Sequence, residues 1–391
     1  MDIRFPERLE TFEQGIFAAL NERKNRLIAE GRTVYNMSVG TPDFRPCQHI
    51  IDAVSEAASK PENYGYSLAD LPELLDAVSM HYRQRYGVEL RHSEITSIYG
   101  SQEGMAHIAM ALCDAGDIVL VPDPGYPVFT AGPFLCGADV RTYDLRKENN
   151  FLIDFDSIPA ELADKAKFMI VSYPLNPVCA AAPDSFYDEL IAFASRHNII
   201  IIHDNAYSDI VYTGRPGRSF LSFDGAREVG VEFYSLSKSY NYTGARMSFV
   251  VGNEAIVRKF ATVRSQIDYG IFLPVQYGAI AALTGPQDSV AAQCEEYNRR
   301  NHALSESMTA AGWKVPLSQG TMFSWAPIPE GFDNSNEFVI ELMEKTGLIV
   351  TPGSSFGALG EGFVRFALVL SPEKIAMAAQ AVRDSGMLER R

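Results

Sequence analysis

The chain has 391 residues, which is enough for one large domain and a smaller one. Its 34 lysines and arginines are outnumbered by 49 aspartates and glutamates, so the net charge is −15. This charge argues against nucleic acid and anionic membranes as partners, since both need clustered positive charge. The N-terminal segment lacks the apolar core of a signal peptide, and no uncharged apolar run reaches ~18 residues. We therefore expect a soluble cytoplasmic protein.

The five cysteines are odd in number and show neither disulfide-like nor metal-like spacing. We interpret them as buried free thiols of a reducing compartment, and we predict no metal site.

A helix is predicted near residues 13–31, ahead of a region from about residue 95 to 252 in which short apolar runs alternate with amphipathic stretches. The runs are Ile95–Tyr99, Ile118–Val121, Phe168–Ser172, Ile199–His203, Phe233–Leu236 and Ser248–Val251. Residues 199–202 are apolar without interruption, which is typical of a strand buried on both faces of a parallel sheet. Helices are predicted between the runs, for example over Gly104–Cys113 and Ser185–His197. The alternation predicts an α/β sheet with crossover connections.

Beyond residue 253 the pattern changes to long helices, over about 253–284 and 288–311. Apolar runs at Met322–Pro327, Ile349–Val350 and Phe363–Leu370 follow, with helices near 335–346 and from Pro372. We predict a large domain over residues 45–285. A smaller α+β domain is predicted from both termini, residues 1–44 and 286–391.

Lys238 is the first candidate for chemistry, because ligands of such sheets gather at the carboxyl ends of strands. It follows an apolar run, in Ser235-Leu236-Ser237-Lys238-Ser239. A lysine there is either a solvated surface residue or an amine held in a partly desolvated pocket, where it can condense with an aldehyde. In the second case the serines and Arg246 would supply hydroxyls and a guanidinium fork for a phosphate.

Asp204 directly follows the run Ile199–His203. A carboxylate at the mouth of an apolar strand needs a partner, because an isolated buried charge is very costly. It either caps a helix over Asn205–Ile210 or faces a cationic ring nitrogen. Tyr207 would then reach a ring hydroxyl of the same ligand.

The turn Gly100-Ser101-Gln102-Glu103-Gly104 follows a predicted strand and opens a helix. Backbone amides at a helix start, with small residues that permit close approach, favour an anion. The pattern is short, and it is not G-x-G-x-x-G, so a dinucleotide has little support.

Three further residues follow or occupy predicted strands. Tyr126 is either a core aromatic or a ring that stacks on a planar ligand. Asn176 could donate a hydrogen bond into the same crevice. Arg365 lies in an apolar strand, where it either pairs with an acid or binds a substrate carboxylate with its two-pronged guanidinium.

In their order along the chain these features resemble the fold-type I aminotransferases of class I and II. The most specific similarity lies in Ser235–Asn241 with Gly244-Ala245-Arg246, and in Asp204-Asn205-Ala206-Tyr207. The similarity extends from Val39–Phe44 to Phe363–Leu368. It implies an aspartate aminotransferase-like α/β fold, in which helices flank a mostly parallel seven-stranded sheet and a smaller α+β domain completes the chain. The implied cofactor is pyridoxal 5′-phosphate.

The resemblance also implies a role for each candidate. Lys238 would carry the cofactor as a Schiff base and move a proton, while Asp204 would pair with the ring nitrogen. Tyr207 and Asn176 would bond the ring hydroxyl, and Tyr126 would stack on the ring. The phosphate would be held by Ser101, Gln102, Ser235, Ser237 and Arg246. The substrate carboxylate would be bound by Gly40, Asn176 and Arg365.

Members of this family are typically homodimers with shared active sites, in which a tyrosine of the neighbouring chain reaches the phosphate. Tyr66 is our candidate for this tyrosine. Tyr64 is the alternative, because the loop is slightly shorter than usual and Asp70 stands where a glycine is common. The family's Asn-Pro-Thr-Gly appears here as residues 176–179 with Cys179 in place of the glycine, which implies a different turn.

The predicted reaction is transamination, in which an α-amino acid gives its amine to the cofactor and a 2-oxo acid collects it. Val350–Gly357 and Asp123–Pro127 are most similar to LL-diaminopimelate, alanine and aspartate aminotransferases, but such widely shared segments do not define a substrate. A β-eliminating carbon–sulfur lyase would use the same lysine, aspartate and arginine, so it is the alternative. A non-catalytic protein that retains the fold is less favoured, because the lysine is present.

Overall fold

The computed structural model describes residues 3–12 and 16–389. The chain divides into two compact units. The first, which we call the central unit, consists of Thr41–Tyr297 and Gln319–Met322. The second, the terminal unit, consists of Met1–Gly40, Asn298–Ser318 and Phe323–Arg391.

The strands are β1 (Tyr35–Asn36), β2 (Ile95–Ile98), β3 (Ile118–Asp123), β4 (Asp139–Asp144), β5 (Ala166–Val171), β6 (Ile200–Asn205), β7 (Gly230–Ser235), β8 (Ser248–Gly252), β9 (Phe323–Pro327), β10 (Leu348–Ile349), β11 (Thr351–Pro352) and β12 (Phe363–Ala367). The helices are α1 (Ile16–Ala29), α2 (Gln48–Ala58), α3 (Pro72–Tyr86), α4 (Ser101–Leu112), α5 (Val128–Leu135), α6 (Ala160–Ala163), α7 (Asp184–His197), α8 (Ala226–Val229), α9 (Leu236–Ser239), α10 (Glu254–Arg264), α11 (Leu273–Thr284), α12 (Asp288–Ala310), α13 (Ser335–Thr346) and α14 (Pro372–Asp384). Short 3₁₀ helices cover Glu7–Phe12, Pro61–Tyr64, His92–Glu94, Lys147–Asn149, Phe155–Ser157, Phe220–Ser222, Gly353–Phe356 and Ala358–Gly360.

Seven strands of the central unit form one sheet, in the order β2-β8-β7-β6-β5-β3-β4. Within the run β7-β6-β5-β3-β4 each strand is parallel to the next, whereas β8 is antiparallel to both β7 and β2. It follows that β2 runs in the same direction as β7. The predicted α/β fold with a mostly parallel seven-stranded sheet is confirmed.

Burial follows the sequence pattern closely in the middle of this sheet. In β5, Phe168–Val171 are completely buried, as expected for consecutive apolar residues covered on both faces. The edge strand β4 reads DVRTYD, and most of its side chains are at least partly exposed. Charged side chains on an exposed edge discourage pairing with another chain. Because of these charged residues the segment contains no apolar run, and the sequence analysis did not predict it as a strand.

In the terminal unit, β11, β12 and β9 form an antiparallel sheet, and β1 pairs in parallel with β10. Helix α13 begins where the Asn334 side chain accepts a hydrogen bond from the Glu337 N–H, and it ends at Gly347 with φ +76°. This unit thus holds the strand that carries Arg365.

Some predicted helices differ from the observed ones. The stretch 253–284 is two helices, α10 and α11, separated by residues that include Gly270 with φ +93°. Asn205 is the last residue of β6, and residues 206–210, all of which the structure describes, form a turn and no helix. The helix-capping interpretation of Asp204 is therefore wrong. For the helix predicted near 13–31, residues 13–15 lie outside the described part, and α1 is observed beyond them. None of the helices described is long and apolar enough to cross a membrane.

Candidate functional site

One edge of the central sheet carries most of the predicted cofactor residues. Because β2, β7, β6, β5 and β3 run in the same direction, the residues at their carboxyl ends lie along a single edge. These residues are Ser101 after β2, Lys238 after β7, Asp204 on β6, Asn176 after β5 and Tyr126 after β3.

Lys238 lies on the four-residue helix α9, directly after β7. Ser235 caps this helix, because its side chain accepts a hydrogen bond from the Ser237 N–H at 3.2 Å. Thr243 Oγ1 donates to the Ser237 carbonyl at 2.9 Å. Lys238 itself is half-buried. The backbone around the lysine is therefore held by one hydroxyl side chain that precedes it in the chain, Ser235, and one that follows it, Thr243.

The turn at Gly100 has the properties of an anion site. Gly100 has φ +89° and immediately precedes α4. A Cβ built on Gly100 would lie 2.1 Å from Nη2 of Arg246, so the guanidinium occupies the space beside the turn. Ser101 Oγ is buried without a hydrogen-bond partner in the described part of the chain. A guanidinium, a helix N-terminus and an available hydroxyl are groups that bind a phosphate.

Further contacts tie the phosphate candidates together. Arg246 Nη1 donates to the Thr243 carbonyl at 2.9 Å, so the arginine is held by the residue that also bonds the Lys238 turn. Tyr126 Oη donates to Gln102 Oε1 at 2.8 Å, which fixes the tyrosine against the first turn of α4. The structure thus connects the predicted ring-stacking residue to the predicted phosphate site.

The surroundings of the Asp204 carboxyl group favour a positively charged partner. Its Oδ1 is buried and has no hydrogen-bond partner among the residues described, and its backbone carbonyl accepts from Ser172 Oγ at 2.8 Å. Burial, together with the nearby negative charge of Glu232, raises the pKa of Asp204 to about 7. A carboxylate in such a place is stabilised by a positively charged ring nitrogen. Asp204 and the Gly100 turn therefore fit the two ends of pyridoxal phosphate.

Asn176 and Tyr207 are both buried, and each lies just beyond a strand end. The turn after Asn176 was expected to change because Cys179 replaces a glycine. Cys179 has φ +61°, in the left-handed region that favours glycine, and its N–H donates to the Leu175 carbonyl at 2.7 Å. The turn thus keeps a glycine-like backbone despite the substitution.

In the terminal unit, Arg365 is buried on β12 between aromatic side chains. Its guanidinium carbon lies 4.1 Å from the ring centroid of Phe323 and 4.7 Å from that of Phe356. Nη2 donates to the Ser38 carbonyl at 3.1 Å. Ring contacts of this kind stabilise a guanidinium and restrict the directions in which it can donate hydrogen bonds.

Gly40 is linked to Arg365 through Phe323. A Cβ at Gly40 would lie 2.3 Å from the Phe323 ring, so only glycine fits beside this ring without displacement. The sequence analysis grouped Gly40 with Arg365 but missed Phe323. The apolar run that contains Phe323 predicts a strand, and nothing in that pattern separates this ring from a core aromatic.

Two further contacts to the Lys238 turn come from residues that the sequence analysis did not identify. Gln293 on α12 donates from Nε2 to the Lys238 carbonyl at 2.6 Å. Asp209 accepts from Ser239 Oγ at 2.6 Å. Neither residue belongs to a recognisable motif, because a glutamine on a helix and an acid in a turn have many other uses.

Tyr66 and Tyr64 lie on the surface of the central unit and are 81% and 64% exposed. The Tyr66 ring packs 5.0 Å from that of Tyr269, and the Tyr64 ring packs 5.3 Å from that of Phe272. We call this exposed group, which also includes Leu68, the aromatic patch. Exposed large apolar side chains that lie together are typical of surfaces that bind another protein.

The model of the family "Aminotransferase class I and II" matches residues 32–382. The LL-diaminopimelate aminotransferase of Halothermothrix orenii is 40% identical over 381 residues, which cover 97% of this chain and 98% of that protein. The solved structure of substrate-bound BacF from Bacillus subtilis is 33% identical, with a TM-score of 0.93 and 98% of each chain covered.

A probable N-succinyldiaminopimelate aminotransferase from Thermus thermophilus is 32% identical, with a TM-score of 0.89; the match covers 95% of this chain and 100% of that one. The solved structure of a Thermus thermophilus aspartate aminotransferase mutant has a TM-score of 0.90 at 23% identity, with 98% of this chain and 100% of that one covered. The expected aspartate aminotransferase-like fold is therefore confirmed.

Proposed function

The chain belongs to the class I and II aminotransferases, which are pyridoxal phosphate-dependent transferases, and we propose that it moves the amino group of an α-amino acid to a 2-oxo acid. The observation that carries this proposal is the placement of Lys238, Asp204 and the Gly100–Arg246 turn along one edge of the central sheet. When bound, the cofactor supplies a ring that accepts electrons from the substrate.

Within this proposal, Lys238 would hold the cofactor through Nζ, and the same atom would carry the proton that is moved during the reaction. The buried carboxylate of Asp204 would pair with the protonated ring nitrogen. Tyr207 and Asn176 bond the ring hydroxyl, and Tyr126 packs on the ring. These residues would orient the reacting atoms.

The phosphate is bound by Arg246, Ser101 Oγ and the N-terminus of α4, assisted by Gln102, Ser235 and Ser237. Arg365, Gly40 and Asn176 bind the α-carboxylate of the substrate. A guanidinium held between rings is suited to a carboxylate, which it can bind through two parallel hydrogen bonds.

We also propose that the protein acts as a homodimer with shared active sites. The aromatic patch supports this, because it exposes large apolar side chains on the central unit. Tyr66 is the more exposed of the two candidate tyrosines, which favours it over Tyr64 as the residue that reaches the partner's phosphate.

LL-diaminopimelate is the first amino donor to test, because curated relatives at about 40% identity are named for it. The experiment follows the visible absorbance of the cofactor-loaded protein during half-reactions with LL-diaminopimelate, alanine, aspartate and glutamate. We expect the band to be lost with at least one donor and restored by a 2-oxo acid. Lys238→Ala should show neither change.

A band that no amino acid alters would contradict transamination. Release of pyruvate and ammonia from cystathionine, without any oxo acid added, would instead indicate the carbon–sulfur lyase.

A further inference from the structure

We propose that Gln293 is a positioning residue for Lys238, in that its side chain holds the backbone of the turn from which the lysine acts. The inference rests on the proposed function, because it concerns the same lysine. It adds Gln293, which lies on helix α12 and belongs to no recognisable motif, to the residues assigned to the site.

The Lys238 turn cannot hold itself in place. Helix α9 has only four residues, and helices this short are unstable without outside contacts. The last carbonyls of any helix lack partners inside the helix, so they need other donors. The Leu236 carbonyl accepts from the Tyr240 N–H at 3.2 Å, and the Ser237 carbonyl accepts from Thr243 Oγ1. The Lys238 carbonyl accepts from Gln293.

Gln293 uses both ends of its amide at this turn. Nε2 donates to the Lys238 carbonyl at 2.6 Å, and Oε1 accepts from Asn241 Nδ2 at 2.6 Å. Asn241 has φ +56°, so the chain reverses sharply just beyond the lysine. Because Gln293 is only 5% exposed, water has little access to the Lys238 carbonyl in place of Gln293 Nε2. One side chain therefore joins the lysine backbone to the reversal that follows it.

The other flank of the lysine is held by a different part of the central unit. Ser239 Oγ donates to Asp209 Oδ2 at 2.6 Å, and Asp209 Oδ1 accepts from Arg85 Nε at 3.1 Å. Tyr234 Oη also donates to Asp209, at 3.3 Å. With Gln293 on one side and Asp209 on the other, the backbone on both sides of Lys238 is fixed.

A fixed backbone matters because the same Nζ must first meet the cofactor aldehyde and later reach the proton that it transfers. Proton transfer requires the two heavy atoms to lie within hydrogen-bond reach. A misplacement of about 1 Å can cost roughly 100-fold in rate. Removing Gln293 should therefore slow the steps of Lys238 while leaving recognition of the substrate carboxylate unchanged.

The test compares Gln293→Met, which has similar length but no amide, with Gln293→Glu. The glutamate variant keeps an acceptor for Asn241 but cannot donate to the Lys238 carbonyl when ionised. The primary readout is the rate at which the visible band appears when cofactor-free protein is mixed with pyridoxal phosphate. Borohydride reduction followed by peptide mass analysis identifies the lysine that carries the cofactor.

We expect both variants to form the band roughly 10- to 100-fold more slowly than the wild type and to lose kcat by a similar factor. KM for the amino donor should change by no more than about twofold, because the amide of Gln293 bonds the Lys238 carbonyl and Asn241 and is not among the residues proposed to bind the substrate. The glutamate variant keeps the size and the Asn241 contact of the original side chain, so it decides the outcome if the methionine variant does not fold.

Asn301→Leu is the matched control. Asn301 lies further along α12, is 2% exposed and also bonds backbone, since Nδ2 donates to the Ser318 carbonyl at 3.2 Å and Oδ1 accepts from the Ser318 N–H at 3.0 Å. Its loss should lower the thermal unfolding midpoint as the Gln293 variants do. Its rate of band formation should equal that of the wild type.

Band formation at the wild-type rate in folded Gln293→Met and Gln293→Glu would overturn the inference. So would an equal slowing in Asn301→Leu, which would mark the effect as general destabilisation. If the wild-type protein carries the cofactor on a lysine other than Lys238, the proposed site fails instead, and the two failures are distinguishable by the mass analysis.

Discussion

The guanidinium of Arg246 occupies the space in which any side chain at Gly100 would have to lie. A Cβ on Gly100 would be 2.1 Å from Nη2, although the two residues are far apart in the chain. Gly100 also has φ +89°, a conformation that side chains rarely adopt. The position of Arg246 and the backbone conformation therefore both favour glycine at this turn.

Gly100→Ala should weaken binding of pyridoxal phosphate, because the methyl group displaces Arg246 from the start of α4. We expect the Kd of the cofactor-free protein to rise at least about tenfold, which corresponds to ~1.4 kcal/mol. Gly116→Ala is the control, since Gly116 has φ +90° but no atom within 4 Å of the added Cβ. Equal cofactor affinity in the two variants, measured by fluorescence titration, would count against the assigned phosphate site.

Asp204→Asn should change how the stability of the cofactor-free protein depends on pH. The pKa of Asp204 is raised to about 7 in the folded protein, so the folded chain binds a proton that the unfolded chain releases. The free energy of unfolding should therefore fall as the pH rises from about 5 to about 8. The asparagine variant lacks this proton and should lose that part of the decline.

Urea unfolding of both proteins at several pH values in this window measures how the free energy of unfolding of each depends on pH. The histidines are common to both proteins, so their contribution cancels when the two are compared. Above about pH 7 the asparagine variant should be the more stable of the two. Parallel pH profiles would show that the Asp204 carboxyl is not perturbed by burial.

Phe323→Leu should raise KM for amino donors roughly fivefold, because the Arg365 guanidinium loses a ring contact worth ~1 kcal/mol. Arg365→Ala should raise KM more, by roughly 100-fold, through loss of the charge-assisted bonds to the carboxylate. Both variants should keep the visible band of the bound cofactor.

Phe363→Leu serves as the control, because the Phe363 ring stacks on Trp325 in the same sheet, with 5.2 Å between centroids. Its KM should match that of the wild type within about twofold. Loss of the cofactor from Arg365→Ala would show that Arg365 has been assigned to the wrong ligand.

Mixing two defective proteins should restore activity if the active sites are shared. Lys238→Ala keeps Tyr66, and a Tyr66→Ala protein keeps Lys238, so each mixed dimer contains one intact site. After equal amounts are mixed and allowed to exchange subunits, about a quarter of the wild-type activity should return. Recovery with Tyr64→Ala in place of Tyr66→Ala would assign the role to Tyr64, and no recovery with either would contradict shared sites.

Several elements of the fold could be predicted from local patterns. The uninterrupted apolar residues of β5 and β6 indicate buried parallel strands, and strand ends in a parallel sheet must meet at one edge. From the sequence alone, that rule places Lys238, Asp204 and Ser101 along a common edge. Edge strand β4 and the two-residue strand β1 escaped prediction, because charged or very short segments carry no periodic signal.

The sequence by itself determined the class of fold and the residues that follow each strand, since both depend on local hydrophobic periodicity. Only the tertiary structure decided which distant side chains support them. Arg246 beside Gly100, Gln293 on the Lys238 carbonyl and Phe323 on Arg365 are contacts between segments far apart in the chain. Many glutamines and phenylalanines could make such contacts, and the choice among them depends on how helices and strands pack in three dimensions.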